Sequence, residues 1–332
     1  MLLSTAAIAA QAGAEPAYDL AAFDLDLVAH AQSEEAAPVG KADPQMLYRL
    51  GLEGPNAAVG PRDGEVSEYE ARGLDTRTRL SFGQQVNSIK WELGGAFLYM
   101  TAVNMIKLTT RENGVDSFSF YDEGFFGKDT DHLGVDKLTH AHNTHILTDI
   151  LAARIRKKTG TARGTALTGG VLASGLMFYS EIYDGVKEDK GFGMHDILFN
   201  SLGAGFSVLR DTTPGLEEKL DFRTLIIPNE QIYSPAGNEH YDQLRYMFAL
   251  KPSGFTGLRK TPLRYVEFHV GYYAKGLTDA ETGGSRQRKL FAGVGLNISE
   301  ILFGRRPRSK VGRAGQELLD YWQPPYTYLH VD

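Results

Sequence analysis

The central part of the chain has the hydrophobic periodicity of helices. Four segments carry apolar side chains at helical spacing, and each is long enough for several turns. They span residues 91–107, 136–158, 163–184 and 195–210. Small residues in them, such as Gly203 and Ala204, allow neighbouring helix backbones to approach closely. The pattern predicts a Gly/Ala-rich core of four helices.

After the fourth helix the period changes to two. Alternating segments at 220–227, 244–250, 264–275 and 288–298 predict four strands, joined by connections that contain Pro and Gly in hairpin-like positions. The predicted fold class is therefore α+β, a four-helix core followed by an antiparallel β-meander. Two weaker patterns predict a strand at 77–86 and a short terminal helix at 317–322.

The domain organisation follows from shifts in composition. Residues 1–13 are a candidate signal segment, 14–75 an extended or disordered leader, 76–305 one domain, and 306–332 a C-terminal extension. The first segment is a short apolar run with an Ala10-Gln11-Ala12 cleavage-like site but without a leading positive region. It predicts export to the periplasm or outer membrane; an Ala-rich tail is the alternative. No stretch reaches the ~18 uninterrupted apolar residues of a membrane-spanning helix.

The composition excludes several kinds of catalytic or metal site and one class of partner. The sequence contains no cysteine, which excludes disulfides, thiolate catalysis and zinc–thiolate sites among its residues. The formal net charge of -6 gives no basic field that would attract nucleic acid. We therefore expect no nucleic acid as a partner. The predicted export favours membrane or envelope components instead. The oligomeric state stays open.

Polar residues share faces on three of the predicted helices. Residues three or four apart lie on one helix face, and three such pairs occur. The pairs are Asp136 with His140, Glu181 with Asp184, and Asp196 with Asn200. Glu181 lies in a row of small and apolar residues, so it is expected to point into the bundle. A buried carboxylate needs partners, and the natural ones are Lys137, His140 and Asn200. We predict a polar cluster where three helices meet.

Two interpretations of this cluster remain open. In one, Asp136, Lys137, His140 and Glu181 are catalytic, since such a cluster perturbs pKa values. In the other, the cluster is a structural or binding network. Its further members are then Asp184, Asp196 and Asn200.

A metal centre is not predicted. The His-x-x-x-His zinc spacing with a catalytic Glu is missing, so a metal held by Asp136, His140 and Glu181 is the less favoured alternative. No cofactor follows from the sequence. His142 and His145 share a face that His140 does not, and we expect them at an interface or at the surface.

The three-part motif resembles a known family. The elements are Asp136-Lys-Leu-Thr-His140, Glu181-Ile-Tyr-Asp184 and Asp196-Ile-Leu-Phe-Asn200. In this order they resemble the YfiM-like family of predicted periplasmic lipoproteins, a domain family of unknown function. The same order is similar to that of VanZ-like membrane proteins. The resemblance covers about residues 90–215.

This resemblance implies an envelope location and a helical core, but no activity. The chain departs from the lipoprotein pattern because it has no cysteine to carry the lipid, and from the VanZ-like pattern because it lacks clean membrane spans. Our first hypothesis is a non-enzymatic structural or assembly role at a membrane. The second is an enzyme or binder that acts on a lipid or phosphorylated envelope substrate, with His140 as acid/base, Lys137 as anion clamp and Glu181 as partner.

Overall fold

The computed structural model describes residues 69, 73–110, 117–121, 124–126, 130–187, 191–228, 237–278, 285–304 and 310–331. The helices in these residues are α1 (Phe82–Ser88), α2 (Lys90–Thr110), α3 (Val135–Thr159), α4 (Thr165–Asp184), α5 (Met194–Thr212), α6 (Gly237–Gln243), α7 (Ile298–Phe303) and α8 (Lys310–Leu319). The strands are β1 (Leu220–Ile226), β2 (Leu244–Leu250), β3 (Val266–Lys275), β4 (Gln287–Leu296) and β5 (Tyr328–Val331).

The five strands form one antiparallel sheet in sequence order. Each strand pairs with the next along the chain, from β1 to β5. The register places Phe248 opposite Val270 and Val270 opposite Ala292, so alternate side chains line up across the sheet. The prediction of an α+β protein with a helical core followed by an antiparallel β-meander is confirmed.

Helices α3, α4 and α5 pack closely through small residues. A Cβ atom built on Gly203 of α5 would lie 1.9 Å from the Ala141 carbonyl oxygen of α3, and one on Gly169 of α4 would lie 2.7 Å from the Thr148 carbonyl oxygen. Glycine is therefore required at both positions, because any side chain would push the helix backbones apart. These contacts draw three helix backbones together around α3.

Helix α2 has a looser place in the core. Its buried Met100 packs beside Tyr179 of α4. Its Glu92 pairs with Arg154 and Lys158 of α3. Its two glycines, Gly94 and Gly95, have no atom within 4 Å of a built Cβ among the described residues, so they do not form a helix seam. Trp91, at the start of this helix, is exposed.

The sheet packs on α3 and α5 through aromatic side chains. Phe222 and Tyr246 belong to the same apolar cluster as Ala141 and Phe199. The Tyr246 hydroxyl donates a hydrogen bond of 2.8 Å to the Thr139 hydroxyl. This contact gives the buried tyrosine hydroxyl a hydrogen-bond partner and joins the sheet to the central helix.

Two of the weaker predictions from the sequence are wrong. The strand predicted at 77–86 is replaced by helix α1, because Ser81 and Gln84 form a capping box in which each side chain bonds the backbone N–H of the other residue. The helix predicted at 317–322 lies earlier, as α8. The predicted leader at 14–75 lies outside the described residues except for Tyr69 and residues 73–75.

The C-terminal residues pack on the main body. Strand β5 adds to the sheet beside β4, and the Gln323 backbone N–H donates to the Thr224 carbonyl oxygen of β1. The fully buried Gln323 side chain accepts a hydrogen bond of 2.8 Å from Arg223. The predicted division at residue 305 thus separates parts of the chain that share one sheet.

Polar and apolar side chains have an unusual distribution in this fold. The central helix α3 buries eight polar or ionisable side chains: Asp136, Lys137, Thr139, His142, Asn143, Thr144, His145 and Thr148. Large apolar side chains are exposed on the two helices that flank it. They are Leu167, Val171, Phe178 and Ile182 on α4, and Met194, Leu198, Leu202 and Leu209 on α5. Among the described residues, no helix has the length and apolar content needed to cross a membrane.

Candidate functional site

A cluster of ionisable side chains lies where α3, α4 and α5 meet. The Lys137 ammonium lies 2.8 Å from a carboxylate oxygen of Asp136 and 2.8 Å from one of Asp196. Both carboxylates belong to the first turn of a helix, where the helix dipole also favours negative charge. Only 2% of the Lys137 side chain is exposed. The cation is therefore enclosed between two helix ends and joins α3 to α5.

His140 lies one turn after Asp136 and faces a carboxylate on each side of its ring. Its Nδ1 atom is 3.6 Å from Glu181 of α4, and its Nε2 atom is 3.7 Å from Asp196 of α5. Its Nδ1 atom is also 3.3 Å from the Asn200 side-chain oxygen. The structure thus brings together six residues that the sequence placed in one cluster, from three separate helices.

The charges in this cluster favour the protonated forms of its two bases. Burial alone would lower the pKa of Lys137, but the carboxylates of Asp136 and Asp196 outweigh it and raise that pKa above its usual range. Burial also opposes protonation of His140, yet the same two carboxylates and Glu181 raise its pKa above the usual value. Lys137 is thus held as a cation.

Asn200 connects the histidine to the interior of the bundle. It is almost fully buried, and its side-chain oxygen accepts a hydrogen bond of 2.8 Å from the Thr144 hydroxyl. Among the described residues, its amide nitrogen has no hydrogen-bond partner. A buried donor of this kind is costly unless something accepts from it.

Among the members of this cluster, solvent reaches His140 most. A quarter of the His140 side chain is exposed, whereas the side chains of Lys137 and Glu181 are each 2% exposed. His140 is therefore the side chain through which a solute could approach the cluster. The Lys137 ammonium lies behind it, in contact with its two carboxylates.

Three other residues singled out in the sequence lie elsewhere. Asp184 forms an ion pair with Lys187 one turn further along the chain. His142 and His145 are buried between α3 and the sheet. Of the two positions predicted for them, the interfacial one is confirmed and the surface one is wrong. His142 contacts the rings of Phe222 and Tyr246. Burial, together with the nearby His145, lowers the pKa of His142 to about 3.

The sequence analysis did not predict a second buried ionic network. Arg223 of β1 contacts Asp221 on the same strand and lies 2.7 Å from Glu267 of β3. Lys251 lies 2.6 Å and Arg210 lies 2.8 Å from Asp221. The signal was present as charged residues at alternating strand positions, which share one face of a sheet. The position of this network, under the C-terminal residues, indicates a structural role.

Comparison with known proteins gives one match. Residues 122–212 match the family described as "Predicted periplasmic lipoprotein (DUF2279)". The matched residues include α3, α4 and α5 and therefore the whole polar cluster. No curated protein and no solved structure matches the chain. The family description, which is that of a periplasmic protein, confirms the predicted export to the cell envelope, and it names no activity.

Proposed function

We propose that this chain is a non-enzymatic structural or assembly protein of the cell envelope that works at a membrane surface. The observation that carries the proposal is the inverted distribution of side chains in the helical core. The central helix buries charged and amide side chains, whereas the flanking helices expose large apolar ones. Extended exposed apolar surface marks a site of membrane or protein contact.

The exposed apolar residues form continuous faces. On α5, Met194, Leu198 and Leu202 repeat every four residues and so lie on one side of the helix. On the helix-facing side of the sheet, Phe248 and Val270 are paired neighbours, and both remain exposed. A membrane interface would remove these faces from water and gain the corresponding hydrophobic free energy.

The polar cluster supports a structural role because its cation is already neutralised. The ammonium of Lys137 contacts two carboxylates and is shielded from solvent, so it has no free face for a phosphate or another anion. Buried ion pairs of this kind can fix which surfaces of two elements meet. In this proposal Lys137 sets the register of α3 against α5.

Vesicle flotation tests the membrane role. The full chain is mixed with vesicles of phosphatidylethanolamine and phosphatidylglycerol and centrifuged through a density gradient. We expect the protein to float with the lipid. Leu202→Asp removes a half-exposed leucine from the α5 face and should weaken partitioning about 10-fold or more, because burying a leucine side chain contributes about 1.5–3 kcal/mol.

The matched control is Thr213→Asp, which adds the same charge at the exposed end of the same helix. It should leave flotation unchanged. A wild-type protein that stays at the bottom of the gradient, or equal flotation of Leu202→Asp and wild type, would refute the proposal. Circular dichroism of both variants establishes that each is folded.

A second candidate function is supported by the partial exposure of His140. In it, the protein binds or modifies a lipid or phosphorylated envelope substrate, with His140 as acid/base and Glu181 as its partner. Glu181→Gln separates the two candidates. Loss of binding to phospholipid headgroups with unchanged stability would support the enzyme or binder, and a lower melting temperature without any effect on ligands would support the structural protein.

We further propose that the resemblance to YfiM-like and VanZ-like proteins reflects a shared cluster. The elements of the motif lie inside the family match, and Asp136, Glu181 and Asp196 converge on two bases.

We also propose that the chain carries an N-terminal signal segment and is located at the outer membrane. Fractionation of native envelopes tests both: we expect the protein in the outer-membrane fraction, with its N-terminal segment removed.

A further inference from the structure

The exposed edge of the polar cluster has the donor atoms of a metal site. We propose that His140, Glu181 and Asp196 bind a first-row divalent cation, for which Zn²⁺ is the reference ion. This inference goes beyond the proposed membrane role and does not depend on it.

The geometry is the first support. One donor atom from each of the three residues lies within 4.8 Å of the other two, and each residue comes from a different helix. Ligands of a tetrahedral zinc ion, at about 2.0–2.2 Å from it, are separated by about 3.3–3.6 Å. Only one ring nitrogen of His140 can bind the ion, and the 3.7 Å between its Nε2 atom and Asp196 is already close to this value. Small rotations of side chains would complete the site.

The charge balance is the second support. Among the described residues, the cluster holds three carboxylates, those of Asp136, Glu181 and Asp196, and one ammonium, that of Lys137. A histidine binds a metal in its neutral form, so a cation would take the place of the proton that these carboxylates otherwise favour on His140, and the formal charge of the groups around it is then -2. A divalent cation would neutralise it. The Lys137 ammonium would then act as the hydrogen-bond partner that holds the Asp196 carboxylate in place.

The third support comes from Asn200, which does not itself belong to the acidic cluster. Its side-chain oxygen lies 3.3 Å from His140 Nδ1 and can accept a hydrogen bond from a proton on that atom. With the proton on Nδ1, the Nε2 atom would be free to bind a cation next to Asp196. Its amide nitrogen is buried and lacks a partner among the described residues. A water molecule on the fourth position of the cation would supply the missing acceptor.

The donor set selects among metals. One imidazole and two carboxylates suit Zn²⁺ and, more weakly, Mn²⁺. Ca²⁺ requires six to eight oxygen ligands, and Mg²⁺ keeps most of its waters, so both should bind poorly here. The partial exposure of His140 gives the ion a path from solvent.

Isothermal titration of the full chain, freed of metal with EDTA, tests the site. We expect one Zn²⁺ to bind with micromolar affinity or better and to raise the melting temperature, and neither Mg²⁺ nor Ca²⁺ to do so. Glu181→Gln and His140→Gln should each weaken this binding by at least 10-fold. X-ray absorption of the zinc-loaded protein should show one imidazole and otherwise oxygen ligands.

Two matched controls separate this site from adventitious binding. Asp184→Asn removes a carboxylate one turn from Glu181, and His330→Gln removes a histidine that pairs with His269 on the sheet, 2.9 Å away. Both should bind Zn²⁺ as the wild type does. Binding that survives Glu181→Gln and His140→Gln, or that is lost in His330→Gln, would overturn the proposal, as would the absence of Zn²⁺ binding. None of these outcomes affects vesicle flotation, which tests the membrane role separately.

Discussion

The side-chain nitrogen of Lys137 lies 2.8 Å from Asp196, so the first turn of α3 is joined by charge to the first turn of α5. Because Asp136 contacts the same ammonium, removing the cation leaves two buried carboxylates without their counterion. Lys137→Met should therefore lower the free energy of unfolding by about 3–5 kcal/mol. Denaturant titration measures this change.

A surface ion pair provides the control for this substitution. Lys158 lies 2.9 Å from Glu92, and nearly half of its side chain is exposed. Lys158→Met should cost less than about 1 kcal/mol, because water screens an exposed pair. Equal costs for the Lys137 and Lys158 substitutions would show that the cluster does not hold the bundle together.

The close approach of α5 to α3 gives a second prediction. At Gly203 a built Cβ would meet the Ala141 carbonyl oxygen, whereas at Gly205 on the same helix it meets no described atom within 4 Å. Gly203→Ala should lower stability by about 1–3 kcal/mol through overpacking. Gly205→Ala should raise it by up to about 1 kcal/mol, because alanine is the better helix former. Thermal denaturation of the pair gives the sign of each effect, and destabilisation by both would contradict this packing.

The capping box of α1 supports a third prediction. Ser81 accepts from the Gln84 backbone N–H, and the Gln84 side chain accepts from the Ser81 N–H. Ser81→Ala removes the first of these bonds and should cost about 1 kcal/mol of stability. Ser201→Ala, a substitution at an exposed serine inside α5, is the control and should change stability by less than about 0.5 kcal/mol. If the two variants were equally stable, the cap would have no energetic role.

The main elements of the fold could be predicted from the sequence because each repeats its hydrophobic period over many residues. Strand β2 was predicted with the bounds it has, and the four predicted helices match α2 to α5 to within three residues at each end. Short elements have too few residues for a period to stand out. The four residues of β5 were missed for this reason, and at 77–86 a local capping box outweighed an apparent alternation.

The candidate site could be predicted in part. Spacing of three or four residues identified the faces of Lys137, Glu181 and Asn200, and the structure brings these faces together. Spacing along one helix does not show which cation meets which carboxylate on another helix. The pairing of Lys137 with Asp196 depends on how α3 and α5 are packed, which is a property of the tertiary structure.

The buried His145 predicts a loss of stability in acid. Burial, together with the positive charge of Arg210 on α5, lowers the pKa of His145 to about 3, although Asp221 on β1 opposes this. In the unfolded chain its pKa is about 6.5, so between these values the unfolded state binds one more proton. Stability from this residue is therefore present above pH 6.5 and is lost as pH falls towards 3.

The loss should amount to about 2 kcal/mol between pH 7 and pH 5. His145→Gln cannot take up a proton, so it should show a smaller fall over this range, even if it is less stable at pH 7 because the contact with Ser207 changes. Denaturant titrations at the two pH values measure the difference for each protein. Asp149 on the same helix is present in both proteins, so its own protonation contributes to the fall in each. Parallel falls in the two proteins would mean that His145 is protonated in the folded state, which contradicts its position between α3 and the sheet.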